Sequence, residues 1–156
     1  MAVEIERKFL VADVSARAAW RAAVGVAYCQ GYLNRDKTRT VRVRIAGDAA
    51  FLTIKGISVG ATRAEFEYAI PLLDAQALLA LCDGPLIEKT RYALVDQGTV
   101  WEVDDFAGDN AGLVVAEVEL HSETQVFEKP DWLGDEVTHD ARYFNSNLAS
   151  HPFARW

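Results

Sequence analysis

The sequence contains few of the residues on which zinc, disulfide and membrane proteins depend. Its 156 residues include two cysteines, three histidines and four prolines. Cys29 and Cys82 form no CxxC pair and have no histidine at metal-ligand spacing, which argues against a zinc site or a disulfide framework. We expect reduced thiols and a cytoplasmic protein. No apolar run is long enough to span a membrane, and the first residues show no signal-peptide pattern.

An excess of positive charge is also missing. Lysine and arginine together number 16 against 23 aspartates and glutamates, so the formal net charge is −7. This balance argues against a general binder of nucleic acid or of an anionic membrane. A small anion held in a local basic pocket remains compatible with it. The length and the 51% of hydrophobic residues suit one domain over residues 1–156 with a sizeable core.

The most informative stretch is the first ten residues. Glu4, Glu6 and Lys8 are spaced two apart, and apolar residues fill most of the gaps between them. Successive side chains of a strand point to opposite faces, so these three charges share one face. A single strand of this kind is also typical of an ordinary half-buried strand whose charges face water. The same alternation recurs along the chain, which favours a shared role for the charged faces.

Seven further segments alternate in this way between turn residues. They are Tyr28–Leu33, Thr40–Ile45, Phe51–Lys55, Arg63–Ile70, Leu86–Val95, Trp101–Asp104 and Leu113–Leu120. We predict helices at Asp13–Gly25, at Ala75–Cys82 with Asp74 as N-cap, and at the C-terminus over residues 140–149, and a short helical turn at Pro130–Leu133. Short connections favour an antiparallel meander, and eight strands can close into a barrel without free edges. The predicted fold is therefore mainly β, α+β by content: a closed eight-stranded antiparallel barrel with flanking helices.

The charged face could look outward to water or inward to the barrel lumen. Cations and carboxylates occur in clusters, unlike the mixture on a solvated surface, and the predicted helices need an apolar outer face to cover. We therefore place the charges in the lumen, where buried cations without partners would be costly. An oligo-anion would complete such a set, since guanidinium groups match phosphate oxygens. The cations concerned are Lys8, Arg42, Arg44, Lys55, Lys89 and Arg91.

The carboxylates on the same faces predict a divalent metal ion. They would repel a phosphate directly, whereas Mg²⁺ binds one or a few carboxylates and shares phosphate oxygens. The favoured ligands are Glu4, Glu6, Glu117 and Glu119, because each Glu-x-Glu pair presents two carboxylates to one space. The absence of His and Cys from this set argues against zinc.

The sequence resembles the CYTH superfamily, the triphosphate tunnel metalloenzymes. Glu4-Ile5-Glu6-Arg7-Lys8 looks like the ExExK signature of this family. Matching segments follow in order over nearly the whole chain: Gln30–Leu33, Arg42–Arg44, Lys55, Glu65–Glu67, Lys89–Arg91, Trp101–Asp104, Ala116–Leu120 and Arg142–Ala149. The resemblance implies an eight-stranded tunnel with external helices that hydrolyses or cyclises triphosphates with Mg²⁺ or Mn²⁺.

The resemblance also implies roles for individual residues. The six cations above would bind the triphosphate, and Asp104 would join Glu4, Glu6, Glu117 and Glu119 as a metal ligand. Glu65 and Glu67 would either bind metal or pair with Arg63, Lys89 or Arg91. Lys55 lies among cations, so we expect a depressed pKa. It would then act either as a general base with Tyr28 as hydrogen-bond partner, as proposed for short bacterial members, or only as a phosphate-binding cation.

The expected activity is metal-dependent hydrolysis of a small anionic substrate, inorganic tripolyphosphate, to pyrophosphate and phosphate by in-line attack of water. Alternatives that remain open are a nucleoside or thiamine triphosphatase, a class IV adenylate cyclase, and a non-catalytic polyphosphate- or nucleotide-binding module. Members of the family are often dimers, so a homodimer is a further expectation. The terminal helix would close one mouth of the tunnel.

Overall fold

The computed structural model describes residues 2–156, and within them the chain forms nine strands and two short α-helices. The strands are β1 (Val3–Val11), β2 (Gly25–Asn34), β3 (Thr40–Ala46), β4 (Ala49–Lys55), β5 (Thr62–Ala69), β6 (Asp83–Asp96), β7 (Thr99–Phe106), β8 (Val114–Glu119) and β9 (Leu133–Glu136). The α-helices are α1 (Leu72–Leu79) and α2 (Asn145–Leu148). Four 3₁₀ helices lie at Ala19–Ala22, Gly108–Asn110, Ala141–Tyr143 and Phe153–Arg155.

Eight of the strands close into an antiparallel barrel, as predicted. Their order around the barrel is β5-β4-β3-β2-β6-β7-β8-β1, and pairing of β1 with β5 closes the ring. The closing contact is short: it joins Val3 to Ala64, Glu4 to Arg63 and Ile5 to Thr62. Further along β1, the same edge pairs with β9.

The strand β9 was not predicted. Leu133–Glu136 shows no alternation, and its place beside β1 depends on a close backbone approach. A Cβ atom on Gly134 would lie 3.1 Å from the carbonyl oxygen of Leu10, closer than most Cβ contacts. The predicted turn before it is present, since the Leu133 amide donates to the Pro130 carbonyl at 3.1 Å.

The predicted helix at Asp13–Gly25 is wrong. Only Ala19–Ala22 forms a 3₁₀ turn, because side chains take up the backbone groups that a helix would use. Asp13 Oδ1 accepts from the Ser15 amide at 3.1 Å, and Trp20 Nε1 donates to the Asp13 carbonyl at 2.7 Å. Arg21 donates to the Ser15 carbonyl at 2.8 Å. The alanine content of this segment could not reveal those contacts.

The other two predicted helices also need correction. Helix α1 begins at Leu72 after Pro71, so Asp74 is not its N-cap and lies in its first turn. A negative charge there interacts favourably with the helix dipole. The predicted helix over residues 140–149 is broken: Phe144 is extended (φ −69°, ψ 130°) between a 3₁₀ turn and α2. This break turns the segment against the end of the barrel.

Apolar residues form two cores outside the barrel and one inside its end. The larger outer core includes Trp20, Trp101 and Trp132. The smaller one lies beneath α1 around Val43 and Ala75. The inner core joins barrel residues to the C-terminal segment and contains Tyr32, Ile87, Phe106, Leu113, Val115, Tyr143, Leu148 and Ala149. One end of the barrel is therefore filled by apolar packing.

Cys29 and Cys82 are free and half-buried. Burial raises the pKa of both thiols. Of the helices in residues 2–156, none has the length and apolar character needed to cross a membrane.

Candidate active site

The barrel encloses a polar cavity of about 550 Å³. Seven cations line it: Lys8, Arg42, Arg44, Lys55, Arg63, Lys89 and Arg91. Seven glutamates line it as well: Glu4, Glu6, Glu65, Glu67, Glu102, Glu117 and Glu119. The predicted inward direction of the charged faces is therefore correct. Arg63 and Glu102 were not among the predicted site residues, although each alternates in step with predicted residues on its own strand.

Asp104 is the predicted metal ligand that does not line the cavity. It is fully buried, and Arg91 holds it bidentately through Nε at 2.7 Å and Nη2 at 2.9 Å. Lys89 Nζ donates to Asp104 Oδ2 at 2.8 Å. Burial favours the neutral acid, but Arg91 and Lys89 outweigh it and lower the pKa of Asp104. Its oxygens are thus committed to two cations, which makes it a counterion that orients them.

Lys55 lies between two carboxylates. Its Nζ is 2.8 Å from Glu4 Oε1 and 3.3 Å from Glu65 Oε2. Burial and the charge of Arg42 lower the pKa of Lys55, but Glu4 and Glu6 outweigh them, so its pKa is raised. The expectation of a depressed pKa is wrong, because the sequence did not show which charges face this lysine. A raised pKa keeps the ammonium charged and does not favour a general base.

Tyr28 lies beside other cations than Lys55. Its ring centroid is 4.9 Å from Arg44 Cζ, 5.1 Å from Arg91 Cζ and 5.9 Å from Lys89 Nζ. Within residues 2–156, its hydroxyl makes no hydrogen bond to Lys55. The structure therefore does not bring together the predicted Lys55–Tyr28 pair, and the ring instead packs against three cations.

Glu65 and Glu67 on β5 pair with cations on β4 and β3. Glu65 faces Lys55, and Glu67 Oε2 lies 3.5 Å from Arg42 Nη2 and accepts from Thr53 Oγ1 at 2.9 Å. Both glutamates therefore form ion pairs, which was one of the two roles expected for them. Their partners are Lys55 and Arg42 and not the expected Arg63, Lys89 or Arg91.

A second group of charges surrounds Glu117. Lys8 Nζ lies 3.6 Å from Glu117 Oε1, and Arg91 Nη2 lies 3.3 Å from Oε2. Burial favours the neutral acid, but these two cations hold the pKa of Glu117 well below its usual range. Arg91 also contacts Glu102 at 3.1 Å. Glu117 is thus charged and already compensated.

Glu6 and Glu119 differ from the other carboxylates. They are paired residues on the adjacent strands β1 and β8. Neither forms an ion pair or a side-chain hydrogen bond within the described chain. Burial and the neighbouring Glu117 raise the pKa of Glu6 to about 8. A carboxylate in this position lacks a positive partner.

These carboxylates fit a hard divalent cation that keeps much of its water. No three Asp, Glu, His or Cys side chains of residues 2–156 converge into a metal cage made by protein alone. Mg²⁺ does not require such a cage, since it commonly uses one or two carboxylates, waters and substrate phosphates. Glu6 and Glu119, with Glu4 and Glu117 nearby on the same strands, supply oxygen donors of that kind.

Two cavity cations have no carboxylate partner within the part of the chain that the structure describes. Arg44 donates from Nε to Gln30 Oε1 at 2.8 Å, and Arg63 donates from Nε to the Gly56 carbonyl at 3.1 Å. Burial, with the charges of Arg42 and Arg91, lowers the pKa of Arg44 to about 10. Arg42 Nε is buried without a hydrogen-bond partner in residues 2–156. The cation set is thus incomplete without an anion.

The C-terminal segment provides the floor of the cavity. The sequence predicted only that this segment closes one mouth of the tunnel. Phe144, Asn145 and Ser146 line the cavity. Lys8 Nζ donates to the Tyr143 carbonyl at 3.2 Å. The side chain of Asn145 contacts Gln30 and Lys89 across the barrel end. The extended Phe144 makes these contacts possible, and no periodicity in residues 140–149 signals it.

Known proteins with a similar sequence or fold cover almost the whole chain. The sequence matches the CYTH domain family over residues 2–151. It is 51% identical over 154 residues to an inorganic triphosphatase of Acetivibrio thermocellus, which covers 98% of this chain and 97% of that protein. An inorganic triphosphatase of Nitrosomonas europaea is 39% identical over 153 residues, covering 94% of this chain and 96% of the relative.

The fold comparison agrees with the sequence comparison. A crystal structure of an inorganic triphosphatase superposes with a TM-score of 0.66 at 38% identity. The match covers 96% of this chain and 95% of that one. The charged barrel interior, the match over residues 2–151 and the two relatives agree: this chain belongs to the CYTH domain family.

Proposed function

We propose that this protein hydrolyses inorganic tripolyphosphate to pyrophosphate and phosphate with the help of Mg²⁺ or Mn²⁺. The observation that carries the proposal is the cavity of about 550 Å³ with seven cations on its walls. Two relatives of nearly equal length, both named inorganic triphosphatase, support it. The free, half-buried cysteines suit a cytoplasmic enzyme.

The unsatisfied donors of the cavity support a phosphate substrate. Arg44 and Arg63 have no carboxylate partner in the described chain, and Arg42 Nε has no acceptor there. Phosphate oxygens would accept from these planar guanidinium groups, which suit bidentate binding. Lys8 and Lys89 add compact point charges to the same anion site. A bare oligophosphate needs no further recognition surface.

The charge balance of the cavity supports the requirement for a metal. Seven cations face seven glutamates, so the walls are formally neutral while a tripolyphosphate brings several negative charges. A divalent cation held by Glu6 and Glu119, with Glu4 and Glu117, would offset that excess. When bound, the metal supplies Lewis-acid polarisation of phosphoryl oxygens and activation of water.

The protein side chains then have separate tasks in the reaction. Water attacks a terminal phosphorus in line with the bridging oxygen, and a new P–O bond forms while the bond to the bridging oxygen breaks. Pyrophosphate is released with the electron pair of that bond, and the protons of the water leave with the phosphate product. Arg42, Arg44 and Arg91 would neutralise charge on the non-bridging oxygens. Lys55, which lies between Glu4 and Glu65, would bind phosphate as a cation. Tyr28 would hold the guanidinium groups in place.

Replacing Glu4 and Glu6 with glutamine separates an enzyme from a pure anion-binding module. We expect the E4Q/E6Q double variant to lose at least about 100-fold in turnover, as metal ligands supply several kcal/mol to such reactions. It should still bind tripolyphosphate in a calorimetric titration, because the cations remain. The matched control is E136Q, whose carboxylate pairs with Arg7 outside the cavity at 2.8 Å. Unchanged turnover in E4Q/E6Q would refute the proposed metal site.

A further inference from the structure

Two neutral amide side chains link two of the cavity cations. Asn145 is the first residue of α2, and the extended Phe144 before it directs it into the barrel. Asn145 Oδ1 accepts from Lys89 Nζ at 3.0 Å and from Gln30 Nε2 at 3.1 Å. On the other side, Gln30 Oε1 accepts from Arg44 Nε at 2.8 Å. The chain of contacts therefore runs Arg44–Gln30–Asn145–Lys89.

The donor properties of the end groups fix the orientation of both amides. Arginine only donates, so Gln30 must present its oxygen to Arg44; its nitrogen then requires the oxygen of Asn145, which also accepts from Lys89. The Gln30 nitrogen then points to the Asn145 oxygen, and both contacts are satisfied without conflict. Gln30 is fully buried, so its amide cannot exchange these partners for water. The link is thus rigid and has only one arrangement.

The neutrality of the link distinguishes it from the other contacts of the cavity. Every other lining cation except Arg63 has a carboxylate within 4.0 Å in the described residues, so part of its charge is already compensated. Arg44 is held by an amide alone, and Lys89 by an amide together with Asp104. An amide oxygen orients a cation without cancelling its charge, which leaves the charge of Arg44 for an incoming anion, whereas Asp104 compensates part of the charge of Lys89.

We propose that Gln30 and Asn145 are positioning residues that hold Arg44 and Lys89 in the geometry that receives the substrate phosphates. The C-terminal segment is thereby part of the anion site, in addition to filling the end of the barrel. This inference rests on the proposed function for the identity of the anion. It adds two uncharged residues, 115 positions apart in the chain, to the binding machinery.

The test is the affinity for tripolyphosphate of N145A, Q30A and the double variant, measured by calorimetry in EDTA, together with KM and kcat in Mg²⁺. We expect each single variant to raise Kd and KM about tenfold, with a smaller change in kcat. The double variant should be little weaker than either single one, because contacts in one network are not additive. N145D should also bind more weakly, since its carboxylate would hold Lys89 but compensate the charge. If Q30A does not fold, Q30E, which keeps the shape but pairs with Arg44, takes its place.

The matched control is N147A in the same short helix. Asn147 Nδ2 donates to the Ala141 carbonyl at 2.7 Å and does not line the cavity. Loss of this bond should lower Tm without changing Kd. A folded N145A with wild-type Kd would overturn the inference, and so would an equal loss of affinity in N147A. Wild-type protein that binds tripolyphosphate without hydrolysing it would refute the proposed function alone, and the calorimetric ranking of the variants would still decide the inference.

Discussion

At the scale of single residues, the state of each cavity lysine depends on the charges that face it. Lys55 and Lys89 are both buried cations on barrel strands. Lys55 faces Glu4 and Glu6, which raise its pKa above the ordinary value despite burial and Arg42. Burial, together with Arg91 and Arg44, lowers the pKa of Lys89 to about 7 even though Asp104 opposes this. The same residue type thus has opposite properties 34 positions apart in the numbering.

The first expected outcome concerns Lys55 and Tyr28. If Lys55 only binds phosphate, K55R should keep activity within about tenfold of wild type, because arginine also binds phosphate as a cation. Y28F should be nearly unaffected, whereas Y28L should raise KM, since the ring packs against Arg44 and Arg91. Steady-state kinetics of the three variants check this. Loss of activity in both K55R and Y28F would instead support a general base pair.

The second expected outcome is a pH-dependent stability difference in E6Q. The folded pKa of Glu6 is about 8 against an ordinary value of 4.5, so the folded protein holds this proton between those values and the unfolded chain does not. Its contribution to stability is present at low pH and is lost as the pH rises through about 8. Glutamine cannot ionise. Between pH 5 and pH 8.5 in EDTA, wild type should lose about 4 kcal/mol of stability relative to E6Q, because each pH unit between 5 and 8 costs about 1.4 kcal/mol. This corresponds to roughly 8–16 °C in Tm.

Thermal melts of both proteins across this range test that expectation. Adding Mg²⁺ at pH 8.5 should stabilise wild type more than E6Q, since a bound metal favours the folded state. A constant Tm difference between the two proteins from pH 5 to pH 8.5 would contradict the raised pKa of Glu6.

At the scale of elements, strands were easier to predict from the sequence than helices. Alternation reports a strand whose two faces differ, and seven of the eight barrel strands place charged side chains on the inner face. The exception is β2, which has no charged residue and lines the cavity with Tyr28 and Tyr32. The helix at Asp13–Gly25 was predicted from alanine content, a weak preference that the side-chain contacts of Asp13 and Arg21 override. The strand β9 has no alternating pattern. Its pairing depends on β1, more than 120 residues earlier.

The third expected outcome concerns the packing of α2 on the barrel end. Leu148 is 1% exposed and belongs to the inner core with Tyr32, Ile87 and Phe106. L148A should lower the free energy of unfolding by about 2–4 kcal/mol, through lost burial and a residual cavity. Urea unfolding measures this. The control is L81A, at a site 70% exposed, which should change stability little. Equal stability of the two variants would show that α2 does not depend on this contact.

At the scale of the whole molecule, the fold brings distant charges into one enclosed space. Strand alternation predicted which side chains face inward, and it placed all six predicted cations in the cavity. It could not predict the partner of each charge, because partners depend on register and on the tilt of strands around the barrel. The pairing of Asp104 with Arg91 and Lys89 and the contact of Asn145 with Lys89 are examples.

The charges of the cavity walls are the physical basis of the proposed activity. Cations and glutamates occur in equal number on the cavity walls, which limits the net charge that the barrel interior holds without substrate. Glu6 and Glu119 lack a positive partner among the described residues, while Arg44 and Arg63 lack a negative one there. A divalent cation and an oligophosphate anion are complementary to these two groups.

The most direct test of the proposed activity is a measurement of phosphate release. The substrates are tripolyphosphate, ATP, thiamine triphosphate and pyrophosphate, each with Mg²⁺ and with EDTA. We expect fast release from tripolyphosphate with Mg²⁺, at least about tenfold slower release from the other three compounds, and none in EDTA. Comparable rates on ATP or thiamine triphosphate would contradict the proposed substrate. Failure to release phosphate from any compound, with tripolyphosphate still bound, would contradict the hydrolase and leave an anion-binding protein.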